Sequence, residues 1–320
     1  MHACDIRDSR EQDSSRPLMA TGLQGLSLLK RGKEKDIYDL GDMLLMVATD
    51  RLSVDGISLG QGIAGKGQIT SQLSSFWFSK LRGLFPNHLV ASDTRCFPSH
   101  LQEYSDILDG RAMLVWKTTP LPIRCVVRGY LAGDGWKEYR QTGEICGMKI
   151  REGLVESQRL PAPIFTPTVK GRPGAMNETI EFGALQDLLG KTLAEQLRDA
   201  SIRLYFTAWL TAREQGVLIA DTKFEFGLHE GRLMLIDDCI TPDTSRFWAL
   251  DRYRYGGSTS SMDKQILIDF LDRIRWKNRH LYLPDELLCQ IGNKYKEVFE
   301  RLTGSNNLKE DHLENSKRSS

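Results

Sequence analysis

The residues whose spacing most directly suggests chemistry lie in segment 217–239, VLIADTKFEFGLHEGRLMLIDDC, where charged residues alternate with strand-forming apolar ones. Successive side chains of a β-strand point to opposite faces, so Asp221, Lys223 and Glu225 share one face. Carboxylates and an ammonium group are rarely placed in such an apolar setting without a partner. The segment therefore predicts a catalytic or metal-binding hairpin.

A turn at Glu230-Gly231-Arg232 would close this hairpin. Three turn residues set Glu225 opposite Asp237, and two facing carboxylates repel unless a cation lies between them. That cation is either magnesium, which prefers oxygen ligands with phosphate nearby, or the ammonium group of Lys223. A solvated polar face is the alternative interpretation.

A second strand pattern, Ile123–Tyr130, places Arg124 and Arg128 on one face at even spacing. It leads into the glycine-rich turn GYLAGDG, residues 129–135. The guanidinium group pairs bidentately with phosphate or carboxylate, so this unit predicts an anion site. The segment TPDTSRFW adds Arg246 between turn formers and aromatic residues. Surface arginines on an edge strand remain the simpler alternative.

An early segment, RGKEKDIY at residues 31–38, carries Lys33 and Lys35 before an apolar strand pattern. Two lysines at this spacing could line a β-ribbon over the phosphates of a nucleotide. Exposed lysines are more often only solvated, so composition alone favours this role weakly.

The glycine-rich segment 60–67, GQGIAGKG, resembles a phosphate-binding loop. A P-loop needs Ser or Thr after its lysine to hold magnesium, but Gly67 follows Lys66. The surrounding chain also lacks the strand and helix alternation of dinucleotide-binding folds. Neither nucleotide fold is predicted, and a local anion-binding turn remains open.

The elements that must position these residues form an α+β pattern. Strand-like runs dominate the first half and helical patterns the second. The clearest strand predictions are 43–49, 112–117 and 123–132. The helix predictions are 68–81, 185–215, 263–276 and 285–302.

The chain has 320 residues, enough for two lobes around a cleft, and no repeat divides it. Polar segments 1–20 and 305–320 are expected to be loose tails. Lys and Arg total 43 against 42 for Asp and Glu, so no general affinity for nucleic acid or an anionic membrane is expected.

The six cysteines are scattered, with no Cys-x-x-Cys pair, and are expected to be free thiols. No apolar run approaches the roughly 20 residues that cross a bilayer. A reducing, cytoplasmic location is therefore expected. The sequence leaves the oligomeric state open.

Co-linear blocks extend the pattern of the individual motifs over residues 25–300. They read RGKEKDIY, ATDRLS, AGKGQITSQLSSFWF, CVVRGYLAGDGWKEY, LPAPIFTP, LIADTKFEFG, LIDDCITPDTSRFW and DKQ. In order and spacing they resemble the SAICAR synthetase family. Such long blocks are far more specific than a single glycine motif.

The resemblance implies an α+β fold related to ATP-grasp and kinase-like architectures. A β-rich N-terminal lobe, residues 21–115, would bind ATP against a larger lobe, residues 116–304, that ends in helices. It also implies a ligase that uses ATP and magnesium. ATP phosphorylates an imidazole carboxylate of a ribonucleotide, and the amine of aspartate then displaces phosphate to form an amide.

The resemblance also assigns roles to single residues. Lys33, with Lys35 beside it, matches the lysine associated with the ATP phosphates. The magnesium carboxylates, which also serve ATP and catalysis, correspond to Glu225 and Asp237. Lys223 lies between the acidic residues as a further catalytic candidate. The arginines that bind the ribonucleotide acceptor correspond to Arg128 and Arg246.

Two departures from the family pattern lie in the acceptor pocket. Arg124 stands where the family typically has Glu, and Asp134 stands where it usually has Ser. Because both changes fall in one strand-and-turn unit, we expect Arg124 and Asp134 to form an ion pair or to share an altered ligand group. Elsewhere Asp55 lies one position late in its motif, and Asn177 begins a variant of a family tetrapeptide.

Three functions follow from this pattern. The chain is an ordinary family enzyme whose pocket changes compensate each other, or a paralogue that acts on a related imidazole or purine-like nucleotide in specialised nucleoside biosynthesis. A catalytically dead nucleotide-binding protein is a third possibility, and retention of Glu225 and Asp237 argues against it.

Overall fold

The computed structural model describes residues 16–54, 57–171, 178–257, 259–276 and 281–306. Most residues of the predicted tails, together with Asp55 and Asn177, lie outside the described residues. The end of the first predicted tail is not loose, because Leu18 exchanges hydrogen bonds with Asp50, its amide donating to the carboxylate and its carbonyl accepting from the backbone.

The described residues form fifteen strands and seven α-helices. In chain order the first half contains β1 (Ser27–Arg31), β2 (Lys35–Asp39), β3 (Met43–Ala48), β4 (Arg51–Val54), β5 (Ile57–Gly62), α1 (Lys66–Leu81), β6 (Leu89–Ala91), α2 (Ser105–Leu108), β7 (Ala112–Trp116), β8 (Thr119–Tyr130), α3 (Gly133–Thr142), β9 (Glu144–Ile145) and β10 (Met148–Lys149). The second half contains β11 (Arg159–Val169), β12 (Glu178–Thr179), α4 (Phe182–Leu189), α5 (Lys191–Glu214), β13 (Val217–His229), β14 (Arg232–Ile236), β15 (Ser245–Ala249), α6 (Gln265–Arg273) and α7 (Asp285–Thr303).

The first sheet has the order β1-β2-β3-β7-β6, with every pair antiparallel. Strand β3, MLLMVA, is buried over its last four residues because both of its faces are covered: Met46 lies in the core that includes α1, and Leu45 and Val47 lie in a second apolar cluster on the other face. Helix α1 presents apolar residues such as Leu73, Trp77 and Phe78 to this core. Burial of these large side chains, rather than helix propensity alone, fixes the position of α1.

The second sheet has the order β12-β11-β8-β13-β14, and β15 pairs with the other end of β13. The long helix α5 packs against β8, β11 and β13 through a buried stripe that includes Ala200, Leu204 and Ala208. Small residues in that stripe let the helix approach the sheet closely. Since α5 covers one face of β8 and β13, their charged residues are left on the opposite face.

A short segment joins the two sheets. The backbone of Leu235 in β14 donates to the Pro86 carbonyl and accepts from the His88 amide. The His88 carbonyl in turn accepts from the amide of Trp116 in β7. This ladder places the end of the β13–β14 hairpin beside the first sheet. The region between the two sheets, where Lys35 of β2 meets Asp237, is called the cleft.

The predicted α+β class is confirmed, and the main elements coincide with their predicted positions within a few residues. The helical pattern 185–215 is different, because it forms two helices. Gly190 has φ +83° and separates α4 from α5. A residue in that conformation ends a right-handed helix.

Gly129 allows a close approach between β8 and α5. A Cβ at this position would lie 2.0 Å from the hydroxyl oxygen of Tyr205, which donates to the Ile219 carbonyl at 2.7 Å. Gly129→Ala must displace that buried tyrosine, so we expect a loss of about 1–3 kcal/mol in the free energy of unfolding. Denaturant unfolding measures it. Gly183→Ala is the matched control, since a Cβ there meets no atom within 4 Å and Ala favours the helix.

Within the described residues, no helix is both long and apolar enough to cross a membrane. The cysteines that the structure describes are free thiols, and Cys4 lies outside this part of the chain. The free thiols are Cys96, Cys125, Cys146, Cys239 and Cys289.

Candidate active site

The centre of the second sheet carries a stripe of charge on the face that α5 leaves open. Strands β8 and β13 are antiparallel, and their register pairs Arg128 with Asp221 and Arg124 with Glu225. Lys223 lies between the two pairs. The predicted alternation holds, because Lys223 is exposed and Glu225 half-buried while the residues that alternate with them are buried. Two arginine–carboxylate pairs therefore lie on one face, four residues apart along each strand.

Asp221 holds the first pair of cations. Its Oδ2 forms an ion pair with Nη1 of Arg246 on β15 and lies 3.5 Å from Nη1 of Arg128. Burial alone would raise the pKa of Asp221, but Arg246 and Arg128 lower it below its usual range. Gln265 accepts from Nε of Arg246 at 3.1 Å and fixes the other side of that guanidinium group. A single carboxylate, that of Asp221, therefore holds the guanidinium groups of Arg128 and Arg246 close together.

The turn that follows β8 packs directly on these arginines. Gly133 has φ +51°, and a Cβ there would lie 2.1 Å from Nη2 of Arg246. A side chain at Gly135 would likewise crowd Arg128, with its Cβ 3.1 Å from Cδ. The glycines therefore let the backbone at the start of α3 approach both guanidinium groups, where its amides add to the positive field.

Glu225 holds the second pair of cations. Its Oε1 lies 3.0 Å from Nε of Arg124, and its Oε2 lies 2.6 Å from Nζ of Lys170. The expected ion pair between Arg124 and Asp134 is wrong. Asp134 is exposed and lies 3.6 Å from Nζ of Lys137 on its own helix. Cross-strand pairing decides the partner of Arg124, because Glu225 is directly opposite it.

The hairpin register differs from the prediction by one residue. His229 pairs with Arg232, so the turn contains only Glu230 and Gly231, and Glu225 lies opposite Ile236 rather than Asp237. Both turn residues have positive φ, +49° and +76°, which is the type I′ geometry that matches strand twist. Asp237 lies just beyond the end of β14, so it does not face Glu225 across the ladder.

Asp237 lies in the cleft because the chain turns sharply after β14, not because it pairs across the hairpin. Its φ of +65° produces this turn. Its Oδ1 lies 2.7 Å from Nζ of Lys35, and Oδ1 of Asp238 lies 2.8 Å from the same nitrogen. The Asp237 side chain is 41% exposed and that of Asp238 only 8%. Lys35 therefore joins the first sheet to two adjacent acidic residues, of which Asp237 faces the solvent.

The three charges of this group shift one another's pKa values in different directions. Burial raises the pKa of Asp237, but Lys35 outweighs it and lowers the pKa to about 2. Burial also raises the pKa of Asp238, here to about 6, because the repulsion of Asp237 adds to it. The pKa of Lys35 lies above its usual range, since attraction by both carboxylates exceeds the effect of burial. Asp237 is consequently an ionised, accessible carboxylate at neutral pH.

The two predicted lysines of the early motif have different surroundings. Lys33 is exposed and Lys35 is buried. Lys223 is exposed, yet its pKa is lowered, mainly because the surrounding protein partly removes water from its amino group. The charge of Asp221 opposes this shift, and the charges of nearby arginines add to it. Lys223 thus presents an accessible amino group between the two arginine–carboxylate pairs.

A buried charge network beside the site was not predicted as a unit. Lys66 lies 2.5 Å from Oδ2 of Asp243, and Lys264 bridges Oδ1 of Asp243 to Oε1 of Glu34 at 3.3 and 2.7 Å. The Tyr295 hydroxyl donates to Asp243 at 3.0 Å. The lysine of the glycine-rich segment is thus an internal ion-pair partner. Its glycine and lysine motif was visible in sequence, but its acidic partner lies 177 residues away.

The sequence reasoning also missed His88 and Lys170. The ring of His88 is buried close to the charges of Lys35 and Asp237. Burial, with the charge of Lys35, lowers the pKa of His88 to about 3, so the ring is neutral. Its Nε2 is among the few buried polar atoms of the described residues that lack a partner. No local sequence pattern identifies either residue, because the groups near each of them are distant in sequence.

The fold and this cleft define an α+β protein whose site is built for anionic ligands, with two carboxylates each bracketed by two cations. A family model described as SAICAR synthetase matches residues 28–280. The phosphoribosylaminoimidazole-succinocarboxamide synthase of Trichlorobacter lovleyi is 48% identical over 292 residues, 91% of this chain and 99% of its own. That of Geobacter sulfurreducens is 46% identical over 289 residues, 90% and 98% of the two chains. The chain belongs to the SAICAR synthetase family.

Solved structures agree with the sequence comparison. The SAICAR synthase of Saccharomyces cerevisiae, complexed with SAICAR, is 38% identical with a TM-score of 0.81 and covers 91% of this chain and 99% of its own. A SAICAR synthetase solved with ADP is 23% identical, with a TM-score of 0.65 over 87% of this chain and 98% of its own, and this likeness concerns the fold alone.

Proposed function

We propose that this chain is an ATP-dependent carbon–nitrogen ligase that joins aspartate to carboxyaminoimidazole ribonucleotide and so makes SAICAR in purine biosynthesis. The observation that carries the proposal is the charged face of β8 and β13 in a chain of this family. Arg128, Arg246, Arg124, Lys170 and Lys223 bring five positive charges there against the two negative charges of Asp221 and Glu225. The net positive face suits an acceptor that carries a phosphate and a carboxylate.

The two cation pairs are separated along the strands. Residues 124 and 128 lie about 13 Å apart at ~3.3 Å per residue. We assign Arg128 and Arg246 to the acceptor phosphate, since the glycine turn and the start of α3 lie against them. Asp134, also a predicted acceptor residue, lies exposed at the rim of that turn. The reacting carboxylate then lies toward Glu225 and the Lys35–Asp237 group.

The residues present also fit a magnesium ion. Magnesium in proteins commonly takes one or two carboxylates and completes its shell with water and substrate phosphate oxygens. Glu225 and Asp237 supply two such carboxylates, and the charge of Lys170 acts on both. No group of three or more ligating side chains occurs among the described residues, so phosphate oxygens would complete the shell. When bound, the ion would neutralise the phosphates during transfer.

The chemistry proceeds in two displacements. A carboxylate oxygen of the acceptor forms a bond to the γ-phosphorus of ATP, the bond to the β–γ bridging oxygen breaks, and ADP leaves. The amine of aspartate then attacks the acyl carbon, phosphate leaves, and the nitrogen loses a proton. Positioning and charge neutralisation dominate such transfers. We assign Lys33 and Lys35 to the ATP side and Lys223 to the reacting carboxylate, whose negative charge its ammonium group would offset.

Turnover tests the proposal directly. The purified chain with carboxyaminoimidazole ribonucleotide, aspartate and magnesium-ATP should release ADP and phosphate and yield a product with the mass of SAICAR. Omission of any one of the three substrates should abolish product formation. An absence of product with this acceptor, together with turnover of a related nucleotide, would instead favour the paralogue, for which the comparisons give no support.

Three finer assignments belong to the same proposal. We propose that the ATP-binding lobe comprises residues 21–115 and the larger lobe residues 116–304, with the cleft between the two sheets. We further propose a cytoplasmic location and small-molecule partners, namely the nucleotides and the amino acid, without nucleic acid or membrane.

A further inference from the structure

Both carboxylate oxygens of Glu225 already face a cation. Arg124 lies 3.0 Å from Oε1 and Lys170 lies 2.6 Å from Oε2. A divalent cation at Glu225 therefore has to approach next to at least one positive charge. Like charges at such short range repel even where water screens them.

The two cations are held differently. Nζ of Lys170 also donates to the Leu121 carbonyl at 3.0 Å, and its side chain is 24% exposed. The Arg124 side chain is 34% exposed, and within the described part of the chain Glu225 is its side-chain partner. Arg124 is thus the cation that can leave Glu225 without breaking a second contact.

We propose that Arg124 is a built-in competitor of the divalent cation at Glu225, which makes the site selective for a cation that arrives with phosphate. The inference rests on the proposed role of Glu225 as a metal ligand. A free cation must displace Arg124 and leave its charge unpaired. A cation bound to a nucleotide brings phosphate oxygens that can receive the displaced guanidinium group, which pairs well with phosphate.

The test measures binding of Mn²⁺, as a probe for Mg²⁺, by electron paramagnetic resonance with the full chain, with and without ADP. Arg124→Gln should bind free Mn²⁺ about tenfold more tightly than the parent chain, because one positive charge a few ångströms from a divalent ion is removed. Binding in the presence of ADP should be unchanged or weaker, because the guanidinium partner of the phosphates is lost.

Three further variants make the result specific. Arg95→Gln removes an exposed arginine paired with Asp93 and should leave both affinities unchanged. Arg124→Lys keeps the charge and should stay close to the parent chain for free Mn²⁺. Glu225→Gln should weaken Mn²⁺ binding in both conditions. If thermal unfolding shows that Arg124→Gln is not folded, Arg124→Met, which keeps the apolar stem, replaces it.

The outcomes separate this inference from the proposed function. Equal affinity of Arg124→Gln and the parent chain for free Mn²⁺, or an equal gain with and without ADP, overturns the inference while Glu225→Gln still identifies the metal ligand. Undiminished Mn²⁺ binding by Glu225→Gln overturns the metal assignment and the inference with it. A failure to form SAICAR is seen only in the turnover experiment.

Discussion

Asp237→Asn is expected to lower turnover by about a hundredfold or more while leaving the fold intact. The Asp237 carboxylate is accessible in the cleft, and Lys35 holds its pKa at about 2, so it carries a full charge at neutral pH. Asparagine keeps the shape and loses that charge. The ammonium group of Lys35 retains its contact with Asp238, so no buried cation is left without a partner.

Asp238→Asn is the matched control for this variant. Both acidic residues contact Lys35 at nearly the same distance, but Asp238 is buried and accepts a hydrogen bond from Ser74 at 3.1 Å. We expect Asp238→Asn to shift the thermal midpoint more than turnover. Steady-state kinetics at varied magnesium and circular dichroism melting separate the effects. Equal losses of turnover in the two variants would remove Asp237 from the metal site.

The face of the charged strand could be predicted from sequence, but its register could not. Alternation over Asp221, Lys223 and Glu225 follows from strand geometry alone. The partner of Glu225 depends on whether the turn has two or three residues, and that depends on the backbone of Glu230. A non-glycine residue at φ +49° is uncommon, so composition favoured the longer turn. The expected three-residue turn places Asp237 in the ladder opposite Glu225, whereas the two-residue turn leaves it beyond the end of β14.

The cations that bracket the carboxylates show a second limit of local patterns. Arg128 and Arg124 were found because they lie on one strand. Lys170 was missed because it follows β11, and the pairing of β11 with β8 cannot be deduced from local sequence. Lys66 and Asp243 are likewise joined across the molecule. The order of motifs predicted the family and the α+β class, whereas side-chain partners required the sheet order.

Arg128→Lys is expected to raise the KM for the acceptor about tenfold or more, with little change in the KM for ATP. The Arg128 guanidinium group donates to Thr166 at 3.2 Å and lies 3.5 Å from Asp221, so two of its nitrogens are already oriented. Lysine keeps the charge but offers one nitrogen and no fork. A lost hydrogen bond between charged groups costs about 1.5–3 kcal/mol, which corresponds to roughly tenfold or more in affinity.

Separate titrations of acceptor and ATP measure the effect of Arg128→Lys on each KM. Two further variants serve as comparisons. Arg252→Lys changes an exposed arginine paired with Glu297 at 3.3 Å and should leave both KM values unchanged. Arg246→Lys should behave like Arg128→Lys, because both guanidinium groups contact Asp221 and, in the proposed site, share one phosphate. A rise confined to the KM for ATP would show that Arg128 serves the nucleotide. An effect of Arg246→Lys alone would place the acceptor phosphate on the β15 side of Asp221, with Arg128 acting only to orient that carboxylate.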